Sequence, residues 1–471
     1  MDIEKEPEEG LYGQILEKST FSRNRIYIMI CMVFVFIADG MEMTIFNFII
    51  KPFGDYFDLE ESDIEIQVAT SSLFLGIAIG CASAGFITNK FGRMFSIHFS
   101  NGLLLVSHIV MSAWLNLYAF IICRSLVGLT LGIIISIFMN IFGEYCPIKY
   151  RGFLLMVAWS FYGIGQLITN LIGFAVMPEL QYSKLRTFLL ILTILPFLCF
   201  VTCLFLLNDS PKGLLLSNNI NDNRKSFNAL SEINKENLNS EQEKAIKKEL
   251  DESAKVIASL TMKDIFREMF NQDLKKTTIL MIFIFIGLGY NAFGIYAISS
   301  YFLDYLDEKE NGKNDIVDIT PARDIIINQI MYAVAEFAAN ILGGLFGEIR
   351  KLGRKGGIMI FTILAAFFTI LGIFKKILFE VTSPISSGCT TIYVNLAMDY
   401  VVELYPTKIR DSSTSLIFMI YRISSFVCNF ISMGFYNVNK YIPYIIYASS
   451  AVLLCILTWL LPYEMAGKSM K

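Results

Sequence analysis

Charge is what this chain has least of. Only 17% of its 471 residues are Asp, Glu, Lys or Arg, where a soluble domain carries roughly 25%. With 55% of residues hydrophobic, such a surface is built to face something other than water. Histidine is nearly missing. His98 and His108 are the whole set, neither has a Cys, His or carboxylate at metal-ligand spacing, and packing or a single hydrogen bond is the expectation for each. Of the nine cysteines, all but Cys146 fall inside apolar stretches, so no disulfide framework follows. There is no Walker sequence, no dinucleotide fingerprint, no H-E-x-x-H and no recognisable nucleophilic constellation, which argues against an ATP-driven pump, a cofactor or an enzyme. A net charge of -3 from 39 basic and 42 acidic residues gives no reason to expect a nucleic-acid partner. The first 25 residues lack the short apolar core and small-residue cleavage site of a signal peptide, so the first apolar stretch is read as a retained helix.

What the chain does have is apolar runs. A bilayer core takes about 20 apolar residues as helix, and twelve stretches qualify: 26–50, 67–88, 95–113, 119–142, 153–177, 186–207, 277–302, 325–347, 357–374, 381–402, 412–436 and 442–462. The expectation is an all-α polytopic membrane protein with 12 transmembrane helices in two six-helix bundles, 26–207 and 277–462. Around them lie a cytoplasmic N-terminal segment 1–25, a central link 208–276 with an amphipathic helix, and a tail 463–471. The basic knots Lys90/Arg93, Lys149/Arg151, Arg350/Lys351/Arg354/Lys355 and Lys408/Arg410, set against acidic loops at 51–66 and 303–323, place both termini and the link in the cytoplasm. Plasma membrane and organelle membrane both fit. Within the link, EQEKAIKKELDESAKVIASL has helix-compatible charge spacing, and Thr261 with Asp264 is placed to cap a short helix, TMKDIFREMF.

One pattern occurs twice with its spacing intact. E-x-x-P-x-K-x-R is Glu144, Pro147, Lys149 and Arg151 after the fourth stretch, and Glu403, Pro406, Lys408 and Arg410 after the tenth. Lys90-Phe-Gly-Arg93 recurs as Lys351-Leu-Gly-Arg354 at nearly the same offset. Two landmarks at corresponding turns predict a duplicated six-helix unit. Each knot pins a helix end at the interface, and Glu144 and Glu403 are positioned to pair with those bases as gates or as plain anchors.

On these residues the chain resembles the major facilitator superfamily, and within it the branch of organic-ion transporters and synaptic-vesicle-glycoprotein-related proteins. Gly85 to Arg93 resembles the loop signature G-x-x-x-D-x-x-G-R, with Gly92 matched and Asn89 where the acid is expected; the second copy keeps Gly353 and Arg354 but has Phe346 and Arg350 at the departing positions. The acid used by that signature's helix-end salt bridge is therefore absent from its usual place. Arg124 and Gly128 match a fourth-span R-x-x-x-G, and Asp209-Ser-Pro211 resembles the end of span six. Closer to the branch are E403-L-Y-P-T-K-I-R410, Asp39-Gly-Met-Glu42-Met, and the run through Asn291-Ala-Phe293. The resemblance implies a secondary active carrier working by alternating access, with symport of protons.

Ionisable residues at membrane depth are functional candidates independently of family. Asp39 and Glu42 stand three apart in the first stretch, Glu336 is central in the eighth, Arg422 in the eleventh, Arg124 begins the fourth, and Asp399 lies near the cytoplasmic end of the tenth. Arginine stays charged, whereas a carboxylate among apolar groups titrates in the working range. That division assigns proton coupling to Asp39, Glu42 or Glu336 and solute contact to Arg422 or Arg124, or else a buried pair that only locks helices. Gln166, Asn170, Tyr290, Asn291, Tyr393 and Asn395 are further solute-contact candidates, each alternatively a helix–helix bond. In the resembling branch, arginine at the position of Arg422 implies an anionic or zwitterionic organic solute. A facilitative, organic-cation or sugar carrier and a non-transporting scaffold are the alternatives. The expected partners are the lipid bilayer, a small-molecule substrate and protons, with the chain a monomer or joined to a partner protein.

Overall fold

The structure is a computed structural model, and it describes residues 23–59, 63–145, 151–209, 214, 226–228, 230, 241–248, 262–311, 320–347, 353–406 and 409–462. Its long elements are helices: α1 (Arg23–Phe57), α2 (Ile64–Phe91), α3 (Arg93–Ala113), α4 (Leu117–Tyr145), α5 (Arg151–Val176), α6 (Tyr182–Leu192) and α7 (Ile194–Leu206) form the first bundle. After the short α8 (Met262–Met269) come α9 (Lys275–Asn311), α10 (Thr320–Gly347), α11 (Gly353–Gly372), α12 (Lys376–Leu404), α13 (Arg410–Val438) and α14 (Ile442–Trp459). Helix α8 matches the expected short helix; its proposed cap at Thr261, and most of the charged helix before it, lie outside the described residues.

Proline explains the irregularities. The sixth crossing is broken at Thr193 because Pro196 has no N–H to give the Leu192 carbonyl. Pro384 likewise frees the Glu380 carbonyl inside α12, and Asn328 of α10 takes it up at 3.4 Å. Among the described residues eleven helical segments are long and apolar enough to span a membrane, by length and composition. Helix α12 has 29 residues, ~43 Å of helix, but Thr382–Thr391 dilutes its hydropathy. All of that run's hydroxyls but that of Thr391 are on buried residues: Ser386 bonds the Ala365 carbonyl at 3.0 Å, and Thr390 bonds the Ser386 carbonyl at 2.9 Å. The exposed apolar side chains of α12, Ile377, Leu378, Val381 and Ile385, are confined to its first half.

The repeat is visible in the packing. In the first bundle α1 meets α5, α2 meets α4, α3 meets α4, and α7 meets both α1 and α3. In the second, α9 meets α13, α10 meets α12, α11 meets α12, and α14 meets both α9 and α11. Each pairing recurs six crossings later. The turn glycines agree in sign, since Gly92 (φ 84°) and Gly353 (φ 66°) both take a positive φ where equivalent helices begin. The two halves meet along α5 with α10 and along α2 with α13. Close approach within the first half depends on Gly76 and Gly80 facing Gly128 and Gly132, where a methyl on any of the four would sit 2.1–2.4 Å from a facing carbonyl oxygen.

Candidate functional site

The charges on α1 part company. Glu42 turns into the first bundle, where Arg124 Nη1 donates to its Oε2 at 2.6 Å, Arg124 Nη2 donates to its backbone carbonyl at 3.0 Å, and His108 Nε2 meets its Oε1. All three side chains are closed to solvent. Arg124 is thus placed as half of an interior ion pair. Asp39, one turn earlier, is equally buried, yet neither of its carboxylate oxygens has a hydrogen-bond partner among the described residues. It lies within electrostatic range of Arg422 and Glu42.

Around Asp39 the two halves contribute one centre. Arg422 of α13 is half-buried, with its guanidinium carbon 5.1 Å from the Tyr421 ring and 5.7 Å from that of Phe293, a cation–π arrangement. Phe293 of α9 in turn lies 4.5 Å from Phe74 of α2, across the halves. Tyr421 is within electrostatic reach of Arg422, Glu336 and Asp39 together. Glu336 accepts from Ser387 at 3.0 Å and is approached by Gln166 from α5. The centre therefore holds two acids, one arginine, an amide and three aromatic rings.

Away from the Gly92 and Gly353 turns the halves are tied by amides. Asn47 of α1 donates to Gln329 Oε1 at 3.1 Å, Asn170 of α5 donates to the Gln329 carbonyl at 3.2 Å, and Asn429 of α13 donates to Ser71 of α2 at 2.9 Å. Gln329 also reaches Ser299 and Ser300 of α9 at 3.4 and 3.3 Å. At the opposite end, Arg354 bonds Glu403 at 3.0 Å and lies 3.3 Å from Asp399. The acid missing from the loop signature is thus supplied by α12, and the second half keeps a helix-end salt bridge. Arg410 donates to the Tyr405 carbonyl at 3.2 Å. Gly85 and Gly92 are exposed, and Arg93 is half-buried at the start of α3. Arg350, and the side chains of Asn89, Glu144 and Arg151, lie outside the described residues.

The remaining candidates sit within the second bundle. Tyr290 packs against Tyr447 of α14 in a tilted pair with ring centroids 4.9 Å apart, and Asn291 accepts from Ser450 at 2.5 Å. Tyr393 is fully buried beside Asn291 and Thr390, while Asn395 bonds Asn340 of α10. The amides Asn47, Gln329 and Asn429 were not singled out from the sequence, nor was Glu42 as the partner of His108, although a single hydrogen bond was the expectation for that histidine. Their signal was an amide or imidazole inside an apolar run, which helix packing uses as often as function does. Among the described residues no cluster of three or more His, Cys, Asp or Glu is placed to hold a metal.

Comparison with known proteins agrees with this architecture. The family model described as "Sugar (and other) transporter" matches residues 26–471. Similar proteins include the putative transporter svop-1 of Caenorhabditis elegans, 24% identical over 97% of this chain and 86% of its own length. The synaptic vesicle 2-related protein of Xenopus laevis is 22% identical over 92% and 77%, and organic cation/carnitine transporter 7 of Arabidopsis thaliana is 22% identical over 96% and 93%. Among solved structures, the inward-open xylose transporter XylE from E. coli superposes with a TM-score of 0.72 at 16% identity, covering 94% of this chain and 98% of that one. The chain is a multi-pass membrane protein of the major facilitator superfamily, in its sugar (and other) transporter family, which is a transport family and not an enzyme family.

Proposed function

We propose that the chain is a proton-coupled secondary carrier of a small polar organic solute without net negative charge, bound at the Asp39–Arg422–Glu336 centre. The carrying observation is Asp39: a fully buried carboxylate with both oxygens unbonded among the described residues, at the meeting of the halves and facing an arginine that rests on ring faces. A buried acid left so is a position for a proton or a solute group. The anionic solute expected from Arg422 alone fits less well, because Asp39 and Glu336 would repel it. A sugar, or a zwitterion whose carboxylate meets Arg422 while its cation meets Asp39 and the rings, satisfies all three charges. The names of the sugar family and of the organic cation/carnitine relative point the same way.

The halves supply the moving parts. In the described arrangement the amide bonds at Gln329 and Asn429 tie the halves together at one end, and at the other, which the basic knots make cytoplasmic, Arg354 with Asp399 and Glu403 braces α11 against α12 within the second half. Alternating access is the opening of the amide closure as the cytoplasmic end closes about a solute held between α1, α5, α10 and α13. A thermal-shift screen of purified protein with D-glucose, L-carnitine, choline and succinate tests the solute class. Stabilisation by glucose, carnitine or choline supports the reading, and stabilisation by succinate alone rejects it.

A further inference from the structure

Helix α8 has only eight residues, MKDIFREM, and they sort by side. With about 100° of turn per residue, positions four apart share a face. Going round the helix, Ile265 with Met269 comes first, then Phe266 with Phe270, then Lys263 with Arg267, and on the far side from the rings Asp264 with Glu268. Phe270 stands just past the last residue of α8, its N–H still bonded to the Phe266 carbonyl at 3.1 Å. Ile265 and Met269 are buried in the apolar core of the second half, which also holds Leu404, Ile409 and Ile417. Packing accounts for that pair and not for its neighbours, since Phe266 and Phe270 remain 46% and 38% exposed. Lys263, Arg267, Asp264 and Glu268 are all exposed.

The position of α8 is fixed by its end. Thr278 donates to the Met269 carbonyl at 2.8 Å, and Thr278 is three residues into α9, about 4.5 Å along its axis. From Lys275 onward α9 is a membrane span, with Ile279, Phe283 and Ile286 exposed along one side. The end of α8 is therefore held at the level where that span leaves the hydrocarbon. Lys275 and Lys276 are exposed in the first turn of α9, the positive end of the helix, which favours an anion nearby. None of Lys263, Arg267, Lys275 and Lys276 is ion-paired among the described residues.

We infer that α8 is a lipid-binding surface, in which Phe266 and Phe270 enter the boundary between headgroups and acyl chains while Lys263 and Arg267 hold the phosphate of an anionic phospholipid. Rings beside the buried face, bases beside the rings and acids turned away form the pattern of a helix lying in a membrane interface. The long stems of Lys and Arg cover apolar surface while their charged ends reach the headgroups. The basic knots assign this end of the bundle to the cytoplasmic leaflet, where anionic lipids concentrate. Any other occupant has to bring both apolar groups for the rings and acids for the bases, whereas the bilayer already adjoins the first turn of α9. The inference is independent of which solute is carried and of proton coupling.

The full chain in nanodiscs of phosphatidylcholine, with and without phosphatidylserine, tests it, each lipid in turn being a photoreactive analogue whose crosslinks are mapped by mass spectrometry. Both lipids should label the Phe266 to Phe270 stretch, phosphatidylserine the more strongly. That preference should fall about tenfold in K263Q/R267Q, fall in the parent protein at high salt, and persist in D264N/E268Q. F266S/F270S should lose labelling by both lipids. Equal labelling of the parent by the two lipids, or a preference that neither salt nor K263Q/R267Q reduces, overturns the anionic contact. Absence of label from residues 262–270 overturns the lipid surface altogether and leaves that side to water, to the preceding link or to another protein. Competition by dissolved glycerophosphoserine would mark the bases as a site for a soluble anion and overturn it too. Should K263Q/R267Q fail to fold, the salt series in the parent protein decides by itself.

Discussion

Arg124 reaches Glu42 twice, through the carboxylate at 2.6 Å and through the backbone carbonyl at 3.0 Å, so one guanidinium fixes both the charge and the main chain of α1. Removing one partner strands the other in a closed interior, a loss of about 3–5 kcal/mol. R124A is accordingly expected to lower the melting temperature of the purified protein more than the double variant E42Q/R124Q, which leaves no buried charge. Equal losses in the two would show that the pair's contribution is packing.

Arg422 behaves differently because its contacts are ring faces and not a bonded carboxylate among the described residues. R422A should melt close to the parent protein while losing the stabilisation that D-glucose or L-carnitine gives. R422K should bind weakly, since a point charge lacks the two-pronged geometry of guanidinium. A parent-like thermal shift in R422A would remove the arginine from the solute site.

The glycine contact between α2 and α4 sets a tolerance. A methyl at Gly128 would stand 2.1 Å from the Leu73 carbonyl oxygen, and backbone cannot swing aside as a side chain can. G128A should cost at least the 1–3 kcal/mol typical of overpacking, about that or more, read as a fall in melting temperature and folded yield. Full stability in G128A would mean the helices are less tightly apposed.

The bundle order was legible because apolar runs, proline-ended knots and the repeated Lys-x-Gly-Arg turn are local signals, and a membrane leaves few alternatives to helices. Asp39, Glu336 and Arg422 were legible for the same reason, a charge inside an apolar run. What the sequence could not show was which way a side chain turns. Spacing alone puts Asp39 and Glu42, three residues apart, on roughly one face, yet one meets the other half and the other is taken by α3 and α4. Pairing of Arg354 with Asp399 and Glu403 was likewise hidden, because the partner acids stand more than forty residues away on α12. The amides of the closed end carry no charge to mark them.

Gln329 is the hub of that closure, joined to α1, α5 and α9 at once. Q329A should leave the fold intact and raise hydrogen exchange in the neighbouring parts of α1 and α10. It should also change the rate of solute exchange while the affinity at the centre stays within a few-fold. Unchanged exchange protection would assign the closure to the α2–α13 contact instead.

A solute and a proton sharing the centre built on Asp39 is the core of the proposed mechanism. Its most direct test is uptake of L-carnitine and D-glucose into proteoliposomes with and without an imposed pH gradient, in the parent protein and in D39N. The account predicts gradient-driven accumulation of at least one probe by the parent and none by D39N, with gradient-independent exchange of the same probe surviving in the variant. Accumulation by D39N equal to that of the parent would contradict it.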